Sequence, residues 1–253
     1  MIDCHCHLEN EAYSKDRKEV LERCKKELKG VITCCAHPRD FDLTMKLVEK
    51  YKNFVFATVS AHPIYIKEIS AQEIDDFISK IKENQDKTIG IGETGLDYFH
   101  IKETEWRQKQ KELFTKFIAL AKELKKPLVI HSRDSAEDVL KILEQENAKE
   151  VYWHMFGTKK LLKKVIDNGY FIGANAMILK SKNHKKIIRD APIEKILLET
   201  DSPWLAPDGG RNEPTAIKAV AHKIAQIKKL QFEQIWSCCE KNAIEFFNLP
   251  KQI

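Results

Sequence analysis

Histidines at the ends of short apolar runs are the residues of this chain best suited to chemistry. His5 and His7 alternate with Asp3 in a D-x-H-x-H motif close to residue 1. In a β-strand these three side chains would point the same way, because successive residues alternate between the two faces. Two imidazoles that face one point can bind a divalent metal ion. The alternative is a pair of surface histidines with no ligand role.

Four more polar residues close apolar runs further along the chain, and they are Glu93, His131, His154 and Asp201. Together with the two histidines of the motif they exceed the four ligands that a single zinc ion usually takes. We therefore expect two divalent metal ions. A carboxylate can bridge two metals, and Glu93 is the candidate for that bridge.

The expected ligands divide into two sets around the bridging carboxylate. His5, His7 and Asp201 would complete one metal site, and His131 and His154 would complete the other. A ligand set rich in imidazole favours Zn, Mn, Co, Ni or Fe over Mg, which prefers oxygen. Zn, Mn and Mg all stay candidates, because this preference does not select one ion. Two metals about 3.5–4 Å apart can generate hydroxide and stabilise phosphoryl displacement.

Two further residues are candidates for contact with a substrate. His62, in the segment AHP, follows an apolar run and could donate a hydrogen bond to a scissile phosphate or carbonyl; the alternative is a histidine that caps a turn. Arg133 follows His131 by two residues and could donate two parallel hydrogen bonds to a phosphate, because a guanidinium group can bind two phosphate oxygens at once. The alternative for Arg133 is a structural ion pair.

Short apolar runs alternate with amphipathic stretches along the whole chain. The runs predict strands at about 1–7, 30–36, 54–61, 88–93, 127–131, 150–155, 170–174 and 195–201. Helical periodicity predicts helices near 15–28, 40–52, 70–84, 104–125, 134–147, 158–168, 183–190, 214–230 and 231–247. Continuous apolar runs are typical of parallel strands that are buried on both faces.

Eight strands that alternate with helices over 253 residues predict an α/β fold of the (β/α)8 TIM-barrel type. In such a barrel the carboxyl ends of all strands meet at one mouth, which would bring the candidate ligands together. An open, doubly wound sheet is the structural rival, although no G-x-G-x-x-G motif follows the first run. Without a linker or an internal repeat, residues 1–253 are expected to form one domain.

Composition limits the class of protein. Hydrophobic residues make up 43% and charged residues 32% of the chain, which is typical of a globular protein. The net charge of +5 permits a polyanionic partner. Neither a signal peptide nor a membrane span is expected. The seven cysteines show no spacing typical of a disulfide framework, which favours reduced thiols and a cytoplasmic location. The lack of a C-x2-C pair argues against a structural zinc site. Strand alternation should turn Cys4 and Cys6 away from the face that carries His5 and His7.

At these residues the chain resembles the TatD family of metal-dependent deoxyribonucleases, within the amidohydrolase-like barrels. The matching segments are DCHCHLE (3–9), AHP (61–63), IGETGLDY (91–98), PLVIHSRD (127–134), GYFIGANA (169–176), LLETDSPWLAP (197–207), GGRNEP (209–214) and NAIEFF (242–247). The resemblance implies a barrel with a binuclear metal site held by the same six ligands, and a substrate-facing role for His62. It also implies that Asp201 binds metal and accepts a proton from the attacking water. Glu199, two residues earlier, could approach the site or a further metal.

We therefore expect a hydrolase that cleaves DNA phosphodiester bonds with two divalent metals, with Asp201, Glu93 and His62 as catalytic residues and no obligate protein partner. Two alternatives stay open. The same metal site could hydrolyse another ester or an amide, such as aminoacyl-tRNA or a small phosphoester. The chain could also be a metal-stabilised binding barrel without catalysis.

Overall fold

The computed structural model describes residues 1–250, and its eight strands form one parallel sheet. The strands are β1 (Ile2–Cys6), β2 (Gly30–Cys35), β3 (Val55–Val59), β4 (Gly90–Asp97), β5 (Leu128–Arg133), β6 (Val151–Trp153), β7 (Phe171–Ala174) and β8 (Ile196–Leu198). The helices are α1 (Arg17–Glu27), α2 (Phe41–Lys50), α3 (Ala71–Glu83), α4 (Thr104–Leu124), α5 (Ala136–Gln145), α6 (Leu162–Asp167), α7 (Met177–Lys180), α8 (Lys182–Asp190), α9 (Ile217–Lys228) and α10 (Phe232–Phe246).

Each strand pairs with the next one in the chain, and the sheet closes between the last strand and the first. We call the backbone contacts of residues 5–7 with residues 201–202, which close the sheet, the seam. There the backbone of Cys6 pairs with that of Ser202 as a parallel bridge. His7 N donates to Ser202 O at 2.7 Å, and Asp201 N donates to His5 O at 2.9 Å. The predicted (β/α)8 barrel is thereby confirmed, and its seam runs through the backbone of three predicted ligands.

The helices form for the local reasons that the sequence indicates. In α4, Leu113, Phe114 and Phe117 are buried at helical spacing. Glu112 and Lys116 of the same helix are exposed. Helix α3 begins with a capping box, in which Ser70 and Glu73 bind each other's backbone N–H groups. Within the described part of the chain, no helix is both long and apolar enough to cross a membrane.

Several details differ from the predicted elements. Strands β6 and β8 end at Trp153 and Leu198, so His154 and Asp201 follow their strands instead of lying within them. The sequence predicts the fourth strand at 88–93, but β4 continues to Asp97, because its residues stay paired with β5 as far as Asp97 and Arg133. The short helix α7 was not predicted. At four residues it is too short to show helical periodicity.

The expected alternation in β1 is also interrupted. Cys4 packs with Ile2, Ile32 and other side chains from several strands, which can meet only inside a closed barrel. Cys6 packs instead with the outer cluster that the helices cover. The prediction that both cysteines share one face was wrong, because the pairing register of β1 with β2 shifts between Asp3 and Cys6.

Two glycines let β4 run unusually close to β5. A Cβ atom on Gly92 would lie 2.4 Å from the carbonyl oxygen of Val129, and one on Gly95 would lie 2.0 Å from that of His131. Both glycines also have positive φ, 150° and 144°. Only glycine tolerates this combination, so the motif G-E-T-G allows the strand that carries Glu93 to approach the strand that carries His131.

We predict that Gly95→Ala lowers the free energy of unfolding by about 3 kcal/mol or more, since it combines a disfavoured φ with a backbone clash. Gly169→Ala is the matched control. Gly169 has a φ of 80° but no atom within 4 Å of an added Cβ, so it should lose only about 1–2 kcal/mol. Urea unfolding of both variants measures the difference. Equal losses of unfolding free energy in the two variants would show that the close approach of β4 to β5 adds no penalty to the Gly95→Ala substitution.

Candidate metal centre

Seven predicted site residues converge at the carboxyl ends of the strands, and they are His5, His7, His62, Glu93, His131, His154 and Asp201. Glu93 lies between two groups of histidines. Its Oε2 is 3.2 Å from His5 Nε2, and its Oε1 is 2.8 Å from His131 Nδ1. Because its two oxygens face different histidines, Glu93 has the geometry of a bridging carboxylate.

Asp201 faces a second set of imidazole nitrogens across the seam. Its Oδ1 lies 3.7 Å from His5 Nε2, 3.6 Å from His7 Nε2 and 3.8 Å from His154 Nε2. The ring of His154 stacks on that of His5 with centroids 3.8 Å apart. His154, expected to share a metal with His131, therefore groups with His5 and Asp201, whereas His131 groups with His62 and Glu93.

The donor set fits divalent cations. Three groups of ligand atoms each lie within 4.8 Å of one another: His5, His7 and Glu93; His5, His154 and Asp201; and His62, Glu93 and His131. Most of these side chains are buried, so water does not compensate their charges. The Nε2 atoms of His5 and His7 face each other at 3.2 Å. A shared cation between such nitrogens and carboxylates would satisfy all of them.

Carboxylates behind three of the histidines hold the rings in place. The pairs are His7 Nδ1 with Glu9 at 3.1 Å, His131 Nε2 with Asp97 at 3.1 Å, and His154 Nδ1 with Glu199 at 2.8 Å. Each pair leaves the other ring nitrogen pointing into the centre, which is the usual arrangement behind metal-bound histidine. His5 is the exception, since its Nδ1 has no hydrogen-bond partner among the described residues.

Sequence reasoning missed Glu9 and Asp97 and gave Glu199 a different role. Glu199 lies beneath His154 and accepts hydrogen bonds from Tyr152 Oη, His154 Nδ1, Met155 N and Asn175 Nδ2. Four donors occupy the lone pairs of both its oxygens, so it orients His154 instead of offering a free ligand atom. Glu9 and Glu199 each lie two residues from a ligand, and that spacing was the available signal.

His62 is held as a hydrogen-bond donor. Ile64 N donates to His62 Nδ1 at 3.1 Å, so in the neutral ring the proton sits on Nε2. Burial, together with the neighbouring His131, lowers the pKa of His62 to about 4. Its Nε2 lies 3.5 Å from Glu93 Oε1. His62 therefore both caps a turn through Nδ1 and points Nε2 toward the site. The sequence alone left these two roles as alternatives.

Arg133 lies at the end of β5 and is exposed. Its guanidinium stands 4.0 Å from the centroid of the Phe99 ring. No carboxylate of the described residues pairs with it, so the structure offers no support for the ion-pair alternative. Binding of phosphate by Arg133 stays a prediction.

Charge compensation inside the centre shifts several pKa values. Burial alone would lower the pKa of His154, but Glu199, Glu93 and Asp201 raise it to about 10. Burial likewise opposes protonation of His7 and His131, yet nearby carboxylates raise the pKa of both rings. In the metal-free protein, imidazolium protons thus balance the carboxylates that cations would otherwise balance.

The comparisons with known proteins agree with this geometry. The family model described as TatD related DNase matches residues 2–248. The chain belongs to the TatD family. An uncharacterized metal-dependent hydrolase of Methanocaldococcus jannaschii is 34% identical over 97% of this chain and 96% of its own length. The deoxyribonuclease TATDN3 of Homo sapiens is 30% identical over 98% of this chain and 94% of its own length.

A solved structure supports the fold. The TatD homolog YJJV of Escherichia coli superposes with a TM-score of 0.91 at 23% identity, over 99% of this chain and 98% of that one. The protein is thus a TatD-family metal-dependent hydrolase with a TIM-type barrel, as the resemblance of its motifs implied. Candidate metal-binding groups of histidine and carboxylate lie at the mouth of that barrel.

We predict that metal binding releases protons. A metal-bound imidazole nitrogen must be unprotonated, and His7, His131 and His154 have raised pKa values. More than one proton should therefore leave per protein at pH 7.5, and metal affinity should increase as the pH rises toward 10. Calorimetric titration in two buffers of different ionisation enthalpy counts the protons.

His62→Ala is the control for this titration, because its neutral ring has no proton to release at that pH. The variant should release as many protons as the unmodified protein. Metal binding without proton release would contradict the protonated state of the metal-free centre.

We also predict that Glu9→Ala weakens metal binding by about 10- to 100-fold, because His7 would lose the carboxylate that orients it. Competition with a fluorescent chelator measures the dissociation constant. Glu11→Ala is the matched control, since Glu11 is exposed and two residues further along the chain. An unchanged affinity in Glu9→Ala would mean that packing alone positions the His7 ring.

Proposed function

We propose that this TatD-family hydrolase cleaves phosphodiester bonds of DNA with two divalent metal ions. The observation that carries the proposal is the position of Glu93, whose two oxygens face separate groups of imidazole nitrogens. The name of the human relative, a deoxyribonuclease, supports DNA as the substrate class. In this proposal the metal ligands are His5, His7, Glu93, His131, His154 and Asp201.

The bound metals would lower the pKa of water and stabilise the charge that develops on a phosphoryl group. Asp201 accepts the proton of the attacking water. Burial would raise the pKa of this carboxyl, but His154, His7 and His5 lower it below its usual value, so it is ionised and ready to accept. Its side chain keeps 15% exposure, so solvent reaches the base.

His62 stabilises charge on the phosphate. With Nδ1 occupied by a backbone N–H, its Nε2–H is the group free to donate to a non-bridging phosphate oxygen. The pKa near 4 keeps the ring neutral at physiological pH, so Nε2–H is its single N–H donor. Arg133, exposed and without a carboxylate partner among the described residues, binds a neighbouring phosphate in this scheme.

The proposal extends to the cellular setting. All seven cysteines are free thiols, and six of them are buried. Free thiols are typical of a reducing compartment, so we propose a cytoplasmic location. DNA is the proposed partner, and no obligate protein partner is part of the proposal.

We predict that chelator-treated protein regains single-strand DNA cleavage when Mn, Mg or Zn is restored. Asp201→Asn should lower kcat by about 100-fold or more, because the proton acceptor is gone. His62→Ala should lower kcat by about 100-fold with metal content unchanged, because a donor to the developing charge is lost. His131→Ala should lose metal and activity together.

His222→Ala serves as the control histidine, since its ring stacks on Phe232 on the outer helices. Its activity should equal that of the unmodified protein. Ester and amide substrates are offered beside DNA. Hydrolysis of ester or amide substrates without DNA cleavage would contradict the proposed nuclease activity but agree with a metal-dependent hydrolase. No turnover of any substrate would favour the alternative of a metal-stabilised binding barrel.

A further inference from the structure

Two large aromatic side chains are exposed at the mouth of the barrel. Among the described residues, the large hydrophobic side chains that face solvent are Phe99 at 46%, Trp204 at 50% and Leu230 at 38% exposure. Phe99 follows β4 and Trp204 follows β8, so both lie at the carboxyl ends of strands. Leu230 follows helix α9 and therefore lies at the opposite end of the barrel.

The two aromatic rings flank the metal centre from opposite walls, because β4 and β8 are four strands apart in a ring of eight. The ring of Trp204 stands edge-on to that of His7 with centroids 4.9 Å apart. The ring of Phe99 stands edge-on to His100, also at 4.9 Å. His100 in turn binds the carboxylate that orients His131. The Trp204 ring therefore contacts the candidate ligand His7 directly, and the Phe99 ring is linked to His131 through His100 and Asp97.

The exposure of Trp204 does not result from a loose loop. Its backbone N–H donates to Asp201 O at 2.9 Å, and its carbonyl accepts from the buried Asn212 Nδ2 at 2.7 Å. Asn212 Nδ2 also donates to Thr200 O at 3.1 Å, which ties this loop to the end of β8. The backbone is thus fixed while the indole ring stays half exposed beside His7.

Phe99 combines an exposed ring with positive charge. The guanidinium of Arg133 lies 4.0 Å and the ammonium of Lys102 lies 5.1 Å from its centroid. Neither cation pairs with a carboxylate of the described residues, whereas Lys67 and Lys109 nearby do. Cations without an acidic partner beside an exposed aromatic ring suit a ligand that has both phosphate groups and planar rings.

We propose that Trp204 and Phe99 stack on unpaired bases on the two sides of the metal centre and thereby determine the affinity of the enzyme for base-bearing strands. This inference rests on the proposed phosphodiesterase function and names two residues that bind its substrate. Every base offers a flat π-face, and stacking on aromatic side chains tolerates any sequence. In a duplex those faces are covered by neighbouring bases, so a duplex lacks what the two rings bind.

The test compares a single-stranded oligonucleotide with the same oligonucleotide in which every base is replaced by an abasic tetrahydrofuran. Trp204→Ala should raise KM for the base-bearing strand by about tenfold or more, because stacking contributes that much per base. KM and kcat for the abasic strand should change less than twofold, which also shows that the metal centre is intact. Phe99→Ala should act in the same direction, and Trp204→Phe should restore most of the loss.

Leu230→Ala is the matched control, an exposed hydrophobic side chain at the other end of the barrel, and it should leave both substrates unaffected. Equal weakening of base-bearing and abasic strands by Trp204→Ala, or no effect on either, overturns the stacking proposal.

A binding measurement separates this inference from the proposed hydrolysis. Fluorescein-labelled oligothymidylate is titrated in the presence of chelator and followed by anisotropy. Weaker binding by Trp204→Ala but not by Leu230→Ala supports stacking even where no cleavage of DNA is found. Binding that is unchanged in Trp204→Ala overturns stacking even where cleavage is found.

Discussion

The compensation of buried carboxylates by imidazoles is the interaction on which the rest of this structure depends. Glu93 is buried at the centre of the barrel mouth, where burial alone would keep it protonated, yet its pKa lies well below the usual range. His154 makes the largest contribution to this lowering, and the hydrogen bond from His131 adds to it. An ionised carboxylate in so enclosed a place needs partners at fixed distances. The barrel supplies them from the ends of several strands, which no single loop could do.

The backbone and the site are built from the same contacts. Glycines in β4 permit the close approach that places Glu93 against His131. The seam is closed by hydrogen bonds from the backbone N–H groups of His7 and Asp201. Asp201 also has a left-handed φ of 56°, which the surrounding bonds must maintain. The geometry of the ligands is therefore inseparable from closure of the barrel.

Much of this arrangement could be predicted, because polar residues after apolar strands have few structural uses and barrel topology brings strand ends together. The convergence of the candidate ligands and His62, and the barrel itself, follow from that rule. Other features depend on three-dimensional detail. Asp97 reaches His131 because β4 is longer than its apolar run, and the two cysteines of β1 diverge because the register shifts. The tautomer of His62 depends on one backbone N–H that no residue pattern reveals.

The seam joins the first strand to the last, and this has a consequence for how the protein acquires its chemistry. Asp3 accepts a hydrogen bond from the backbone N–H of Thr200, 197 positions later in the sequence. Contacts of such high sequence separation form late and slowly, since a long chain must close before they contribute. A nascent chain that has not yet extended past β8 lacks both Asp201 and the strand that closes the seam. The hydrolytic centre would then become complete only when the last strand joins the first.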